Sequence, residues 1–231
     1  MRINRFYFAF DITKKEVRIE EEGLVNQIRN VLRMAVGDPI QLFNGQGQEA
    51  KSTIADFDKK SVTVSVEEVF DGLPSADNQA ILYCAVLKKE NFELVVQKAT
   101  ELGVAKIVPI ITERTVKLGL NMERLHKIII EACEQSGRGF LPEIVEPVDF
   151  TWVLSEAKNN DVNLFFHFSK TKISAGDKIS GQVGLFVGPE GGWSDEEVDL
   201  AKESGCKIVS FGENVLRAET AAIIASYLGV K

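Results

Sequence analysis

The sequence is poor in the residues that bind metals or form disulfides. Its 231 residues include two histidines, His126 and His167, and three cysteines, Cys84, Cys133 and Cys206. The cysteines are odd in number, far apart and surrounded by apolar residues, so they indicate buried thiols and not a disulfide framework. The histidines are too few and too far apart for a zinc site. We therefore expect a protein without a metal or a disulfide.

The sequence also lacks a long apolar run and an excess of positive charge. No run reaches the roughly 18 residues of a membrane span, and the start, MRINRFYF, lacks the apolar core of a signal peptide. We therefore expect a cytoplasmic protein with no membrane partner. The net charge is −7, and both the first 72 residues and the remainder are acidic. Such a charge argues against wrapping nucleic acid by bulk electrostatics, so any RNA would have to meet local basic patches.

Two phosphate-binding fingerprints are missing as well. No G-x-G-x-x-G motif stands near the first strand of the larger part of the chain, and no G-x-x-x-x-G-K-[ST] motif occurs. A flavin or nicotinamide enzyme is therefore a distant alternative. The glycine-rich turns lie instead near the carboxyl terminus.

The first of these turns follows an apolar run. Leu185–Val187 predicts a buried strand, and Gly188–Gly192 predicts the turn after it. Ser194 stands three residues before Glu197, which is the capping-box pattern at the start of a helix. The order strand, glycine turn, helix is typical of a backbone-lined binding site.

The second turn repeats this plan. A strand is predicted over Lys207–Phe211, a turn at Gly212, and a helix from about Ala218 to Leu228. Two such units close together place two turns at the same edge of one parallel sheet. Ligands of open α/β sheets bind at that edge.

The rest of the sequence divides into two parts with different periodicity. Residues 1–72 contain short alternating strands, as at Ser61–Val66, and one helix over Gly23–Ala35, which together predict a small antiparallel β-barrel. Phe70–Ser75 predicts a linker. Residues 73–231 alternate strands and helices, which predicts an α/β fold with a mostly parallel sheet covered by helices on both faces.

Two glycines help to delimit the helices of this larger part. Gly103 and Gly137 follow apolar-periodic stretches and are expected to end the helices before them. The predicted strands are Ala80–Leu87, Lys106–Ile111 and Asn163–Phe168, and the predicted helices are Asn91–Leu102, Asn121–Ser136 and Trp152–Ala157.

The predicted helix of the barrel carries two arginines. Arg29 and Arg33 are four residues apart and therefore share one helical face. They are the candidate RNA-binding residues. From charge alone, a solvated helix face is the alternative.

Several blocks of the sequence resemble one family of RNA-modifying enzymes. VGPEGGWSDEE and SFGENVLRAETAA resemble the two cofactor motifs of SPOUT-class methyltransferases, whose carboxy-terminal sheet is tied in a trefoil knot. VVQKATELGVAKIVPIITERTV and EACEQSGRGFLPEI are similar to the RsmE family, which methylates N3 of a uridine in 16S ribosomal RNA. RFYF and NVLRMAVGDPIQLFNGQG are similar to that family's PUA-like barrel. The resemblance covers nearly the whole chain.

The resemblance implies that S-adenosylmethionine binds at the two glycine turns, that the chain forms a homodimer, and that 16S ribosomal RNA of the small ribosomal subunit is the substrate. S-adenosylmethionine carries no phosphate, so its site needs close backbone approach and apolar walls, and glycines without a Cβ permit that approach. The predicted cofactor-binding residues are His167, Val187, Gly188, Glu190, Gly191, Gly192, Phe211, Gly212, Val215 and Leu216. The alternative is that these glycines only form tight turns.

The implied reaction needs a group that acts on the uridine N3 proton. N3 is protonated at neutral pH, so this group either accepts the proton or stabilises the developing anion. Arg138 matches an arginine of the family's first motif and Arg217 lies inside the cofactor turn, and either guanidinium can stabilise the uracil carbonyl oxygens. The candidate bases or orienters are Glu101, Glu134, Glu190 and Glu219. An ion pair or a helix C-terminal charge is the alternative for Arg138, and a favourable helix dipole is the alternative for Glu219.

Two other functions remain open. A non-catalytic ribosome-assembly factor would keep the knot for dimerisation and would not bind S-adenosylmethionine. An RNA ribose 2′-O-methyltransferase of the same fold would modify the sugar and leave N3 unmethylated.

Overall fold

The computed structural model describes residues 3–72, 79–116, 119–174 and 179–231. The chain forms two compact units. The amino-terminal unit is Met1–Ser75 with Cys133–Leu141, and the carboxy-terminal unit is Ala76–Ala132 with Pro142–Lys231. The segment Cys133–Leu141, which the sequence groups with the larger part, therefore belongs to the amino-terminal unit.

The described residues of the amino-terminal unit form one mainly antiparallel sheet and a short helix. The elements are β1 (Asn4–Tyr7), β2 (Glu16–Ile19), α1 (Glu22–Asn26), β3 (Pro39–Phe43), β4 (Gln48–Phe57) and β5 (Val62–Asp71). The sheet order is β1-β3-β4-β5-β2. β1 pairs with β3 in parallel, which corrects the all-antiparallel expectation, and the other neighbours are antiparallel. Ile19, Leu42 and Val62 are fully buried in its core.

The predicted linker Phe70–Ser75 begins later than expected. Phe70 and Asp71 are the last residues of β5, where they pair with β4. Gly72 then donates its N–H to the carbonyl of Gly47 at 2.7 Å. The remainder of the predicted linker lies outside the described residues.

The predicted helix Gly23–Ala35 is wrong in its second half. α1 is followed by a π-helical turn over Gln27–Val31. Arg33 then adopts a left-handed φ of +53°, and the N–H of the next residue bonds the carbonyl of Ile28 at 3.1 Å. A left-handed residue with a hydrogen bond of this span ends a helix. Arg29 and Arg33 therefore do not share a helical face.

The carboxy-terminal unit alternates strands and helices as predicted. Its elements are β6 (Gln79–Ala85), α2 (Lys89–Leu102), β7 (Lys106–Ile111), α3 (Met122–Ser136, whose last turn belongs to the amino-terminal unit), β8 (Glu143–Ile144), β9 (Val148–Asp149), α4 (Phe150–Glu156), β10 (Val162–Phe166), β11 (Gln182–Val187), α5 (Asp195–Glu203), β12 (Lys207–Val209) and α6 (Ala218–Val230). The helix ends follow the sequence closely, because Gly103 and Gly137 adopt positive φ values of +105° and +83°.

The sheet of this unit is parallel, which confirms the predicted fold class. Its order is β12-β10-β11-β6-β7-β8, and β9 also pairs with β7. In β11, Phe186 packs with residues of α4 and α5. The preceding strand residue, Leu185, packs against α6 instead, since a Cβ on Gly229 of that helix would lie 2.7 Å from a Leu185 methyl group. Successive residues of a strand face opposite sides, so helices cover both faces of the sheet.

An aromatic cluster lies beneath one end of this sheet. Phe165 and Trp193 have ring centroids 4.3 Å apart, Phe150 lies 5.2 Å from Trp193, and Tyr83 stacks on Phe186 at 4.5 Å. Each of these rings is buried. The cluster supports the end of the sheet at which the glycine turns lie.

Candidate functional site

A cavity of about 850 Å³ lies in the carboxy-terminal unit at the carboxyl ends of β10, β11 and β12. Its size falls within the range of small-molecule sites, and its position is the edge at which parallel sheets bind ligands. The cavity is lined by all ten predicted cofactor-binding residues, His167, Val187, Gly188, Glu190, Gly191, Gly192, Phe211, Gly212, Val215 and Leu216, together with Arg217 and Glu219. The two turns therefore form one site, although a cofactor role for each residue stays a prediction.

The first turn is shaped by a buried indole. A Cβ on Gly188 would lie 2.9 Å from Cε2 of Trp193, closer than real Cβ atoms approach a neighbour. Trp193 donates its Nε1–H to the carbonyl of Phe166 at 3.1 Å, which fixes the ring against the end of β10. Gly192 has a left-handed φ of +71° and donates its N–H to the carbonyl of Pro189 at 2.8 Å. The glycines here thus serve packing and turn geometry.

The predicted capping box begins α5 directly behind this turn. Ser194 accepts the N–H of Glu197 at 3.3 Å, and the Glu197 carboxylate accepts the Ser194 N–H at 2.9 Å. The other Glu197 oxygen accepts the N–H of Glu113 at 2.9 Å. One buried carboxylate therefore joins the glycine turn to the loop after β7.

The second turn presents apolar side chains to the cavity. Phe211 stacks on Phe166 with centroids 4.4 Å apart, and Gly212 follows with a φ of +144°. Val215 is 79% exposed and Leu216 is half-buried. Arg217 is exposed and precedes the first residue of α6. These residues provide the flat ring and the aliphatic walls that suit a planar apolar ligand.

Glu219 is a buried carboxylate in the wall of the cavity. Its residue is 8% exposed and it lies in the first turn of α6, where the helix dipole favours a negative charge. Among the described residues it has no ion pair or side-chain hydrogen bond. A buried carboxylate of this kind is available to a ligand proton or cation.

His167 lies one residue beyond β10, which corrects the predicted end of that strand at Phe168. Its N–H donates to the carbonyl of Val209 at 2.9 Å. Burial is the largest effect on its imidazole and lowers the pKa. The charge of Asp195 raises the pKa by less, and the charge of Lys202 lowers it slightly. The ring is therefore neutral at pH 7 and can accept a hydrogen bond from a ligand.

The remaining predicted site residues do not line the cavity. Glu101 lies on α2 of the carboxy-terminal unit and forms an ion pair with Lys98 at 2.8 Å, whereas Arg29, Arg33, Glu134 and Arg138 lie in the amino-terminal unit. Burial lowers the pKa of the Arg138 guanidinium, and the neighbouring Cys133 raises it. Arg29 donates to the carbonyls of Lys59, Asp58 and Ser61, and its guanidinium lies 5.2 Å from the centroid of the Phe57 ring. Arg33 is exposed. Arg29 thus supports the β4–β5 turn, which leaves Arg33 the more accessible of the two.

Several lining residues were not predicted as site residues, among them the polar or aromatic Lys88, Asn91, Arg114 and Trp193. Arg114 donates from Nη1 to the carbonyl of Gly191 at 3.0 Å, and the N–H of Lys88 donates to Glu190 at 3.3 Å. Trp193 and Arg114 stand within motifs that carry the resemblance, so the signal was present. Their positions in the cavity depend on loops that periodicity does not describe.

The described residues offer little for other chemistry. They contain no cluster of histidine, cysteine, aspartate and glutamate side chains that would hold a metal ion. Burial raises the pKa of Cys133 and Cys206 to about 11 and raises that of Cys84 further. No helix in the described ranges combines the length and apolarity that crossing a membrane requires.

Comparison with known proteins identifies the family. A family model described as an RNA methyltransferase domain matches residues 74–228. The ribosomal RNA small subunit methyltransferase E of Rickettsia conorii is 33% identical to this chain, over 97% of the chain and 94% of the relative. The chain belongs to the RsmE family of RNA methyltransferases.

Other matches agree with this RsmE membership. A second model, described as an RNA methyltransferase PUA domain, matches residues 28–67. A methyltransferase of Legionella pneumophila, solved with bound S-adenosylmethionine, is 34% identical with a TM-score of 0.88 and covers 99% of this chain and 97% of its own. The ribosomal RNA small subunit methyltransferase E of Neisseria gonorrhoeae, also bound to S-adenosylmethionine, is 27% identical with a TM-score of 0.87 and covers 97% and 95%.

Proposed function

We propose that this RsmE-family protein transfers a methyl group from S-adenosylmethionine to N3 of a uridine in 16S ribosomal RNA of the small subunit. The observation that carries the proposal is the single cavity formed by both glycine turns at the carboxyl edge of the parallel sheet. Two similar proteins that cover nearly the whole chain were solved with this cofactor. The N3 position follows from the family to which the chain belongs.

The residues of the cavity fit S-adenosylmethionine. Phe211, Val215 and Leu216 supply apolar walls for the adenine, and the exposed backbone of the first turn supplies amides and carbonyls for its edge. The carboxylates of Glu190 and Glu219 suit a cationic ligand with hydroxyl and ammonium groups. The volume of about 850 Å³ leaves room for a nucleobase beside the cofactor.

In the proposed reaction, the chain's residues prepare the nucleobase. When bound, S-adenosylmethionine supplies a methyl group on a positively charged sulfur, and displacement in line with that bond depends mainly on alignment. Glu219 accepts the N3 proton, and the guanidinium groups of Arg217 and Arg138 stabilise the charge that develops on the uracil oxygens. The base must leave its stack to reach the cavity. His167 orients the cofactor as a neutral hydrogen-bond acceptor.

We propose in addition that the amino-terminal unit docks the RNA and that the carboxy-terminal unit is the catalytic domain. The PUA match and the exposed Arg33 support docking at the first unit, with Arg29 contributing charge near the β4–β5 turn. A substrate of this kind implies a cytoplasmic protein.

The knot and the homodimer remain proposals too. The knot is supported by the resemblance of VGPEGGWSDEE and SFGENVLRAETAA to the SPOUT cofactor motifs. Exposed apolar side chains beside the cavity and on α6, namely Phe168, Val215 and Tyr227, support a dimer interface that covers them.

The test is methylation of undermethylated 16S RNA or small subunits by the purified protein, followed by nucleoside mass spectrometry. We expect N3-methyluridine, which retains a free 2′-hydroxyl. Ribose-methylated uridine would refute the N3 assignment. Absence of S-adenosylmethionine binding at millimolar concentration in calorimetry would instead favour an assembly factor.

A further inference from the structure

The segment that carries Arg138 is fastened to the amino-terminal sheet at both of its ends. At its beginning, Arg5 donates from Nη1 to the carbonyl of Cys133 at 2.9 Å. The N–H of Tyr7 donates to the carboxylate of Glu134 at 3.1 Å. These contacts join β1 directly to the last turn of α3, four to five residues before Arg138.

At its other end, the segment pairs with a glycine loop between β3 and β4. Gly47 donates its N–H to the carbonyl of Gly139 at 3.1 Å, and Leu141 donates to the carbonyl of Gly45 at 3.0 Å. Gln46 and Phe140 form the antiparallel bridge between these two bonds. The residue immediately after Arg138 is therefore held by the backbone of the loop.

The geometry of this pairing requires glycine in the loop. Gly47 has a φ of +93°, and a Cβ there would lie 2.7 Å from Cε1 of the Phe140 ring and closer still to Cζ. Gly45 has a φ of +76°, and its Cβ would lie 3.0 Å from both Leu141 and Tyr7. A side chain at position 47 would therefore force the Phe140 ring to shift, and with it the pairing of the segment with the loop would be strained.

A buried ion pair reinforces the same attachment. The Glu49 carboxylate is 3% exposed and lies 2.9 Å from Nη2 of Arg5, and Gln41 also donates to it. A Cβ on Gly139 would lie 3.0 Å from the same carboxylate. The planar guanidinium of Arg5 thus bridges a fixed carboxylate and the carbonyl of Cys133, which a lysine cannot do with the same geometry.

We propose that the amino-terminal unit has a second role beside RNA docking: Gly47 and Arg5 are positioning residues that set the backbone from which Arg138 acts on the substrate. This inference rests on the proposed function, because it needs Arg138 to take part in methyl transfer. It predicts that a disturbance inside the amino-terminal unit slows the chemical step while cofactor binding by the other unit is unchanged.

A matched pair of glycine substitutions tests the proposal. Gly47→Ala and Gly37→Ala impose alanine at the same φ of +93°, but a Cβ at Gly37 meets no atom within 4 Å. We expect single-turnover methylation by G47A to be at least about tenfold slower than by G37A, since a misplacement of about 1 Å costs up to a hundredfold. S-adenosylmethionine affinity in calorimetry and the KM for RNA should be the same for both.

A double-mutant cycle separates positioning from general damage. Residues that act through one group are not additive, so G47A should cause no further loss in an Arg138→Ala background. Equal rates for G47A and G37A, or losses that multiply in the double variant, would overturn the proposal. Where G47A does not fold, Arg5→Lys takes its place in the same cycle. A wild-type protein that methylates no RNA would refute the proposed function instead.

Discussion

Gly188→Ala is the sharpest test of the claim that the first glycine turn is built on Trp193. The new Cβ would lie 2.9 Å from Cε2, 3.0 Å from Nε1 and 3.1 Å from Cδ2 of the indole. The indole is 4% exposed and is held by Phe165, by Phe150 and by its hydrogen bond to Phe166. It therefore cannot move without disturbing the aromatic cluster.

The expected loss has two parts. Overpacking a dense core costs about 1–3 kcal/mol, and weakening the hydrogen bond between Trp193 and Phe166 adds about 1 kcal/mol. The free energy of unfolding should thus fall by about 2–4 kcal/mol in urea denaturation followed by tryptophan fluorescence. Affinity for S-adenosylmethionine should fall as well, because the turn carries the proposed cofactor backbone contacts.

Gly191→Ala is the matched control in the same turn. Its Cβ would lie 3.4 Å from Cβ of Arg114, an ordinary van der Waals contact, and neither glycine has a positive φ. We expect G191A to change stability by less than about 0.5 kcal/mol. Equal destabilisation by the two substitutions, or full stability of G188A, would refute the role given to the indole.

Three further predictions concern Glu197, the two arginines of the amino-terminal unit, and His167. Glu197→Ala leaves two backbone N–H groups without an acceptor and should lower the free energy of unfolding by about 2–5 kcal/mol in urea denaturation. Glu197→Gln keeps an acceptor and should lower it less; equal losses would contradict this. Arg33→Glu should weaken RNA binding in filter assays without lowering the melting temperature. Arg29→Glu should lower the melting temperature, because Arg29 donates hydrogen bonds to three carbonyls. Burial lowers the pKa of His167, so near pH 6 the unfolded chain binds more protons than the folded chain. The free energy of unfolding should therefore fall as the pH drops below about 6.5. His167→Asn should flatten this pH dependence, and an unchanged slope of unfolding free energy against pH would count against the prediction.

Much of the carboxy-terminal unit could be predicted because its signals are local. Apolar runs mark β6, β7 and β11, and glycines that can adopt positive φ mark the ends of α2 and α3 at Gly103 and Gly137. The capping box of Ser194 and Glu197 likewise uses residues three apart. The cavity follows from these elements, since a parallel sheet brings its carboxyl ends to one edge.

The amino-terminal unit was predicted less well because long-range pairing decides its structure. β2 is short and half exposed, and its alternation stands out only when it lies beside β5. β1 pairs in parallel with β3, which no turn signal between them encodes. Arg33 ends the helix in a left-handed conformation that sequence rules reserve for glycine or asparagine. Each of these features depends on contacts between residues far apart in the chain.

The same distinction explains how far the candidate site could be predicted. Local motifs name the residues that line the cavity, but the reason for an individual glycine depends on its neighbour in space. Gly188 is required by the indole of Trp193, Gly47 by the ring of Phe140, and Gly212 by its own φ of +144° with no atom within 4 Å of a Cβ. A substitution should therefore be relieved by a smaller neighbour at Gly188, only in part at Gly47, whose φ of +93° remains unfavourable for other residues, and by nothing at Gly212. Glycine within a cofactor motif is thus evidence of a binding role only after its packing role has been tested separately.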